Sequence, residues 1–193
     1  MEIIGRQEFE GEQFRNLDFG GADLKGKVFT RCSFEGCSFT ESDLTDAQFS
    51  EAGFSGCSFG VAIIRGCQFR ETGFRNCRLS GLDFSQANGF LLSLNFYGCK
   101  IDSCNFSGLK LHKAAFRECR IQNSDFYRCD LSGADFTATE FQKTLFGSAD
   151  LSKAVFTEAR GYAINPLDNK LKGAVFSLPE AMSLLDHLGI VIK

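Results

Sequence analysis

The sequence predicts an all-β solenoid, in which the chain winds into stacked coils, closed by a short C-terminal α-helix. Two observations carry this prediction. Every fifth residue between positions 9 and 84 is large and apolar, and the residue two places earlier is usually small. A spacing of five matches neither the 3.6-residue period of an α-helix nor the two-residue period of a strand. It indicates a repeat instead. The large positions are Phe9, Phe14, Phe19, Leu24, Phe29, Phe34, Phe39, Leu44, Phe49, Phe54, Phe59, Ile64, Phe69, Phe74, Leu79 and Phe84.

Each repeat has a simple grammar around its large residue, here called the centre and written as position i. Position i−2 is small, i−1 is often Asp, Asn, Gln or Ser, i+1 is often Ser, Thr or Arg, and i+2 is often Gly. We expect i and i−2 to point into a shared core and the other three positions to point outward. Faces this short form a β-helical coil, whose turns stack at about the 4.8 Å spacing of paired strands.

The length of one coil follows from the centres that are not Phe. Leu24, Leu44 and Ile64 lie twenty residues apart. Because stacked neighbours tend to match in solenoids, we predict a coil of about 20 residues with four faces. A ten-residue period also fits the second half of the chain, but Phe34 and Phe54 interrupt it in the first half.

The register breaks once, between Phe84 and Phe96, which are twelve residues apart instead of ten. We therefore divide the chain into a first stack at 1–85, a hinge or bulge at 86–95, a second stack at 96–176 with a loop at 161–170, and a C-terminal segment at 177–193. The insertion contains Phe90, Leu91 and Leu92. These side chains either plug the core locally or form an exposed contact patch.

The C-terminal segment departs from the five-residue repeat. Ser177, Pro179 and Glu180 form a helix-start signal, and Gly189 supplies a stop. A short strand is expected at 190–192. Since a solenoid must cover its open end, we predict that this segment caps the last coil and joins two copies into a homodimer. The predicted interface comprises Leu178, Ala181, Leu184, Leu185, Leu188, Ile190 and Ile192.

Nine cysteines occupy the small i−2 position of their repeats, where Ala, Ser and Thr also occur. They are Cys32, Cys37, Cys57, Cys67, Cys77, Cys99, Cys104, Cys119 and Cys129. No His accompanies them at the spacing of a zinc site. We interpret them as buried, unpaired thiols in a reducing compartment. The N-terminal residues lack the pattern of a signal peptide, and no apolar run approaches a membrane span, so we expect a cytoplasmic protein.

Catalytic and cofactor-binding motifs are absent from the sequence. It has no phosphate-binding loop, no GxSxG and no HExxH, and its two histidines, His112 and His187, stand apart from any cysteine cluster. Most carboxylates recur at position i−1, where Asp commonly bonds to turn backbone. Those positions are Asp18, Asp23, Asp43, Asp83, Asp125, Asp130, Asp135 and Asp150. We predict a protein that is not an enzyme and needs no metal or cofactor.

The charged surface residues provide one further candidate for a partner contact. The net charge is −3, which argues against a non-specific grip on nucleic acid. Arg65, Arg70 and Arg75 follow one another at position i+1. They either form a solvated girdle that pairs with Glu51 and Glu71, or they contact an acidic partner.

These residues resemble a known family. Repeats such as ADLKG at 22–26, recurring over nearly the whole chain, resemble the pentapeptide-repeat proteins, whose fold is a right-handed quadrilateral β-helix. The ending AVFSLPEA at 174–181 is similar to the subgroup that protects type II topoisomerases. That subgroup includes the Qnr quinolone-resistance proteins, the mycobacterial fluoroquinolone-resistance protein and the immunity proteins against albicidin and microcin B17.

The resemblance implies a function as well as a fold. In that subgroup, C-terminal helices join two rods into a dimer that engages DNA gyrase or topoisomerase IV as a mimic of duplex DNA. It would protect the enzyme from a quinolone, albicidin or microcin-type poison, without a nucleic-acid or membrane partner of its own. The chain lacks the projecting loops of Gram-negative Qnr proteins between Phe9 and Phe84. The alternative is an interaction scaffold for an unrelated protein.

Overall fold

The structure, a computed structural model, describes residues 5–190 and consists of a solenoid of about eight coils with roughly 20 residues each, followed by a short helix. The predicted fold class and coil length are confirmed. We number the four faces by the centres of the first coil: Phe9 on face 1, Phe14 on face 2, Phe19 on face 3 and Leu24 on face 4.

Faces 1, 2 and 3 are parallel sheets of very short strands. Face 1 holds β1 (Glu8–Glu10), β3 (Val28–Thr30), β5 (Gln48–Ser50) and β8 (Gln68–Arg70). Face 2 holds β2 (Gln13–Arg15), β4 (Ser33–Glu35), β6 (Gly53–Ser55), β9 (Thr72–Arg75), β11 (Leu94–Tyr97) and β13 (Ala115–Arg117) in one sheet, then β16 (Val155–Phe156) and β17 (Val175–Phe176). Face 3 holds β7 (Ser58–Gly60), β10 (Arg78–Ser80), β12 (Lys100–Asp102), β14 (Arg120–Gln122) and β15 (Glu140–Gln142).

On face 4, and wherever the other faces lack a strand, successive coils are connected by isolated parallel bridges. Asp23 pairs with Asp43 in this way, and Asn105 pairs with Asp125. A 3₁₀ turn at Phe84–Gln86 precedes the insertion. Each three-residue strand buries only its central residue, because the chain turns a corner after five residues. Hydrogen bonding between coils therefore replaces the long strands of an ordinary sheet.

The core is a set of side-chain columns that run along the solenoid axis. On face 2 every centre is Phe, and the eight successive ring pairs from Phe14 to Phe176 stack with centroids 4.8 to 5.2 Å apart. Rings on adjacent faces meet edge to face, as Phe34 and Phe39 do at 5.4 Å. Offset-stacked and edge-to-face pairs are both favourable arrangements for aromatic rings.

The two extra residues are absorbed at the corner between faces 1 and 2. Asn88 still pairs with Gln68, twenty residues earlier. By Asn95, which pairs with Gly73, the offset has become twenty-two. The face 2 sheet continues through this coil, and Phe74 stacks on Phe96 at 5.0 Å. The insertion therefore alters the edge of the coil and leaves the pairing of coils intact.

Face 1 loses a centre in the same coil. The register places Gly89, without a side chain, between Phe69 and Leu111. Three positions of type i−2 around it hold leucine instead of a small residue: Leu82, Leu94 and Leu109, all buried. Because core volume must be filled, we interpret these leucines as supplying the apolar volume that Gly89 lacks.

Many i−2 side chains also satisfy a backbone carbonyl of the preceding coil. Cys57 Sγ donates to Phe34 O at 3.4 Å, Thr72 Oγ1 to Phe49 O at 3.2 Å, and Asn169 Nδ2 to Phe146 O at 2.9 Å. A side chain at position i−2 therefore does more than fit a small space. Where it carries a hydrogen-bond donor, it also satisfies a buried carbonyl group, and such groups need partners.

The last part of the chain differs in detail from expectation. The predicted loop at 161–170 continues the coil, because Tyr162 and Ile164 are buried and Phe146 pairs with Ile164. The predicted helix is present at Glu180–Leu188 and ends at Gly189 with φ 64°, but its turns are of the 3₁₀ type.

The predicted Ser177 cap is wrong, since that hydroxyl accepts a hydrogen bond from Glu158 N at 3.1 Å. The expected strand at 190–192 and Ile192 of the predicted interface extend outside the described residues. No helix in the described part of the chain is long and apolar enough to cross a membrane.

Candidate partner-binding surfaces

The repeated carboxylates serve the fold. All eight predicted i−1 aspartates accept a hydrogen bond from the backbone N–H two residues on, as Asp150 does from Ser152 N at 3.0 Å. The hydroxyl and backbone N–H of Ser152 hold the pKa of Asp150 below its usual value. An acid–base pair needs two carboxyls in different environments, whereas these aspartates share one turn motif.

The two histidines lie in different parts of the fold. His112 Nδ1 lies 2.9 Å from Ser132 Oγ on the surface, and His187 is exposed on the C-terminal helix. Over residues 5–190, no group of three or more His, Cys, Asp or Glu side chains has the arrangement of a metal site. Partner-binding surfaces are therefore the features to consider.

The inserted residues form an exposed apolar edge between faces 1 and 2. Phe90 is 71% exposed and Leu91 is 54% exposed, whereas Leu92 packs partly against the core. Asn88 Oδ1 accepts a hydrogen bond from Phe90 N at 2.9 Å, which holds the turn. We call Phe90 and Leu91 the apolar edge. A large ring held outside the core by an ordered turn is available to a partner.

The three arginines of the predicted girdle do not form one patch. Arg65 lies on face 4, Arg70 on face 1 and Arg75 on face 2, so they point in three directions. Arg70 follows Gln68, which pairs with Asn88 at the start of the insertion.

The expected ion pairs of the girdle are also missing. None of these arginines makes an ion pair among the described residues, so the expected pairing with Glu51 and Glu71 is wrong. The guanidinium of Arg75 instead lies 4.7 Å from the ring centroid of Tyr97. Arg70 and Arg75 therefore lie on the two faces that meet at the apolar edge, whereas Arg65 does not.

A groove of about 540 Å³ runs along face 2 next to this edge. Its floor includes a run of small residues at position i−1, among them Gly53 and Gly73. Both glycines have ordinary φ values, and a Cβ added at either would meet no atom within 4 Å. The backbone does not require glycine there, and glycine inside a strand often marks the close approach of another chain.

The C-terminal end of the solenoid is incompletely covered. From residue 171 to residue 190 only partly buried and exposed residues occur, and the last centres, Leu171 and Phe176, are half-buried. Leu184 packs on the core, while Leu178 is 77% exposed and Ile190 is 55% exposed. The predicted interface residues Ala181, Leu185 and Leu188 also retain exposed surface.

Tyr162 lies beneath this end, and its buried hydroxyl has no hydrogen-bond partner among the described groups. Burial, followed by the charge of Glu180, raises the pKa of Tyr162 to about 12. A second protein surface packed against this apolar end would cover it and would offer the Tyr162 hydroxyl a hydrogen-bond partner.

Sequence reasoning missed the face 2 groove and the role of the leucines in small-residue positions. The signals are present in the chain as Gly at i−1 and Leu at i−2. They become interpretable only after the register places Gly89 at a centre.

Comparison with known proteins agrees with this architecture. The model of the pentapeptide repeat region matches residues 27–103, 67–145 and 99–176, overlapping segments that together span most of the chain. A search of curated proteins found no significant match.

Two solved structures of trypsin-treated variants of QnrB1, a plasmid-mediated fluoroquinolone resistance protein, are similar to this chain. The first has a TM-score of 0.73 and 24% identity, covering 96% of this chain and 91% of that one. The second has a TM-score of 0.55 and 25% identity, covering 96% and 90%. Together with the match of the family model, the five-residue periodicity and the four-faced coil lead to one assignment: the chain belongs to the pentapeptide repeat family.

Proposed function

We propose that this protein is a non-enzymatic, cytoplasmic binding protein that engages DNA gyrase or topoisomerase IV and protects it from a poison of the quinolone, albicidin or microcin type. The observation that carries the proposal is the likeness to QnrB1 along 96% of the chain, since QnrB1 is described as a fluoroquinolone resistance protein. The similar ending at 174–181 supports the same subgroup.

The contact with the enzyme is proposed to be the apolar edge together with the face 2 groove. Phe90 and Leu91 provide apolar surface that the rod itself does not use, and Arg70, which makes no ion pair within residues 5–190, lies on the adjoining face 1. The groove provides an open floor along the axis. Exposed aromatic anchors beside a shallow depression are typical of binding hot spots.

Mimicry of duplex DNA is proposed to use face 4. Its i−1 column contains Asp23, Asp43, Asp83 and Asp125, whereas the corresponding column of face 3 carries Arg78, Lys100 and Arg120 in register. Only a negative column can replace phosphates in a site built for DNA. The positive column of face 3 would be repelled by the positive charges of such a site.

A homodimer is proposed to form through the C-terminal end. The half-buried last coil and the exposed Leu178, Leu188 and Ile190 present one apolar surface on each copy. A two-fold contact would bury this surface against itself, since such contacts are self-complementary. Light scattering on the chain carrying L178R and L188R should give a monomer, while the natural chain gives a dimer. An equal mass for both would contradict the dimer.

The function is tested by a supercoiling assay with purified gyrase, with and without a quinolone or albicidin. We expect the protein to restore supercoiling in the presence of the poison. An absence of effect on both inhibition and cleavage would instead favour an interaction scaffold for another protein.

Two matched variant sets refine the assay. Phe90→Ala should lower protection, while Leu167→Ala, which truncates a side chain that is 74% exposed at the other end of the rod, should not. The triple change D43N, D83N and D125N removes three charges from face 4 and keeps the turn bonds, because Asn makes the same bond at Asn88 and Asn105. The control D130N, D135N and D150N removes the same charge from faces 1 and 2. Equal loss in both sets would contradict a specific role for face 4.

A further inference from the structure

Five of the nine cysteines form a continuous column, here called the cysteine ladder: Cys37, Cys57, Cys77, Cys99 and Cys119. They occupy the i−2 position of face 3 in consecutive coils. The residue after each cysteine pairs with its counterpart, so that Ser38 bridges Ser58 and Lys100 pairs with both Arg78 and Arg120. The register across the insertion is thus preserved in this column.

The ladder thiols point into the same part of the core, one above the other, because the strands that follow them pair in register from coil to coil. Each cysteine is buried. Four of the thiols also donate weakly to a carbonyl of the preceding coil, as Cys77 does to Phe54 O at 3.5 Å. The chain therefore holds five sulfur atoms in a row.

The other four cysteines provide an internal contrast. Cys67 lies between Ala47 and Ala87, and Cys104 bonds through its backbone N–H to Ser124 in the next coil. Cys32 and Cys129 likewise have no cysteine in the neighbouring coils. These four thiols serve as isolated controls for the ladder.

The spacing of the ladder suits a soft metal ion better than a disulfide. Parallel in-register neighbours lie about 4.8 Å apart at their Cα atoms, and because their Cα–Cβ bonds point the same way, their Cβ atoms keep about that separation. It exceeds the usual Cβ–Cβ separation of about 3.8 Å in a disulfide. Two metal–sulfur bonds of about 2.3 Å placed end to end span about 4.6 Å. Soft thiolate ligands favour Cu(I), zinc and iron–sulfur clusters. Zinc and iron–sulfur sites need tetrahedral sets of ligands, whereas Cu(I) and Ag(I) readily accept two ligands in a line.

We propose that the cysteine ladder is a binding site for soft monovalent cations such as Cu(I) and Ag(I), each held between the sulfur atoms of two adjacent coils. Five sulfurs define four such positions. On filling, five thiols release five protons to solvent and four cations enter, with no change of oxidation state. The ladder then carries one net negative charge, and Arg78, Lys100 and Arg120 stand at the neighbouring positions of face 3.

Small ions have a route to the ladder. Two shallow depressions of about 430 and 390 Å³ follow the corner between faces 2 and 3, and all five ladder cysteines contribute to their linings. Three of the five corner residues are glycines, Gly36, Gly56 and Gly98, and the other two are Asn76 and Glu118, so few side-chain atoms cover the thiols there. The site is independent of the proposed function and needs no topoisomerase.

The test is a titration of the reduced full-length protein with Ag(I), in chloride-free buffer and in the presence of an excess competing monothiol. Native mass spectrometry counts the bound ions, and circular dichroism follows the fold. We expect four tightly bound Ag(I) ions on the natural chain, with native circular dichroism and a higher melting temperature.

Variants test the count. Cys77→Ala cuts the ladder into two pairs and should reduce four ions to two, and Cys119→Ala should reduce four to three. Cys67→Ala and Cys104→Ala should leave four. Alanine fills the same position natively at Ala62 and Ala134, so these chains should fold. Equal counts for Cys77→Ala and the natural chain, or binding only with loss of β-structure, would overturn the proposal.

Discussion

Faces 1 and 2 meet the same two-residue insertion in opposite ways. On face 2 the Phe column passes through without a gap, because Phe96 stacks on both Phe74 and Phe116. On face 1 the column loses its centre at Gly89, and the chain then places Phe90 outside the core. A solenoid can thus accommodate extra residues at a corner. One face then lacks a large core residue in that coil, and the other faces keep their register.

The strongest test of this comparison is Phe96→Ala. It removes a fully buried ring from the middle of the continuous column, and we expect a loss of about 3–5 kcal/mol in the free energy of unfolding. Denaturant unfolding followed by circular dichroism measures it. A loss below about 1 kcal/mol would mean that the column is not the main support of this coil.

Leu94→Ala tests the compensation for Gly89. Alanine is native at the equivalent positions Ala52 and Ala114 of the same face, yet we expect a loss of about 2–4 kcal/mol at position 94, because a cavity would open beside the missing centre. The same unfolding measurement applies. If the change is as mild as a surface substitution, the leucines do not fill the gap.

A smaller effect is expected for the turn aspartates that the two faces share. Burial raises the pKa of Asp135 on face 2, but hydrogen bonds from Thr137 and Arg117 lower it further, so the pKa lies below its usual value as it does for Asp150 on face 1. A lowered pKa stabilises the fold above the unfolded value near 4, and this contribution disappears as the pH falls through the folded value.

We therefore expect Asp150→Asn to cost a few tenths of a kcal/mol at pH 7, since the carboxylate is partly exposed, and progressively less as the pH falls below about 4. Thermal melts across this range measure the difference. Asp135→Asn should behave alike. A cost that is unchanged at pH 2 would point to packing instead of charge.

The smallest effect should come from Phe90→Ala. Its ring is exposed, so the free energy of unfolding should change by less than about 0.5 kcal/mol. This result would separate Phe90 from Phe96, although both are phenylalanines six residues apart. A large loss of stability would sink the idea that the apolar edge is free to bind a partner.

Much of this was predictable from the chain itself. The centres, the small i−2 positions, the coil of four faces and the role of the i−1 aspartates all follow from a period that each repeat expresses locally. The C-terminal helix was predicted from its start and stop signals, but its 3₁₀ turns and the bond of Ser177 to Glu158 depend on how the last coil receives it.

What the sequence alone determined is the shape of one repeat, because the choice between inward and outward residues is made within five positions. What only the tertiary structure decided is which residues become neighbours between coils: Gly89 in register with Phe69, Phe96 between Phe74 and Phe116, and five cysteines in one line. The physical reason is that contacts between coils depend on cumulative register. Two inserted residues change the pairing offset at one corner, and no local sequence pattern predicts at which corner this change occurs.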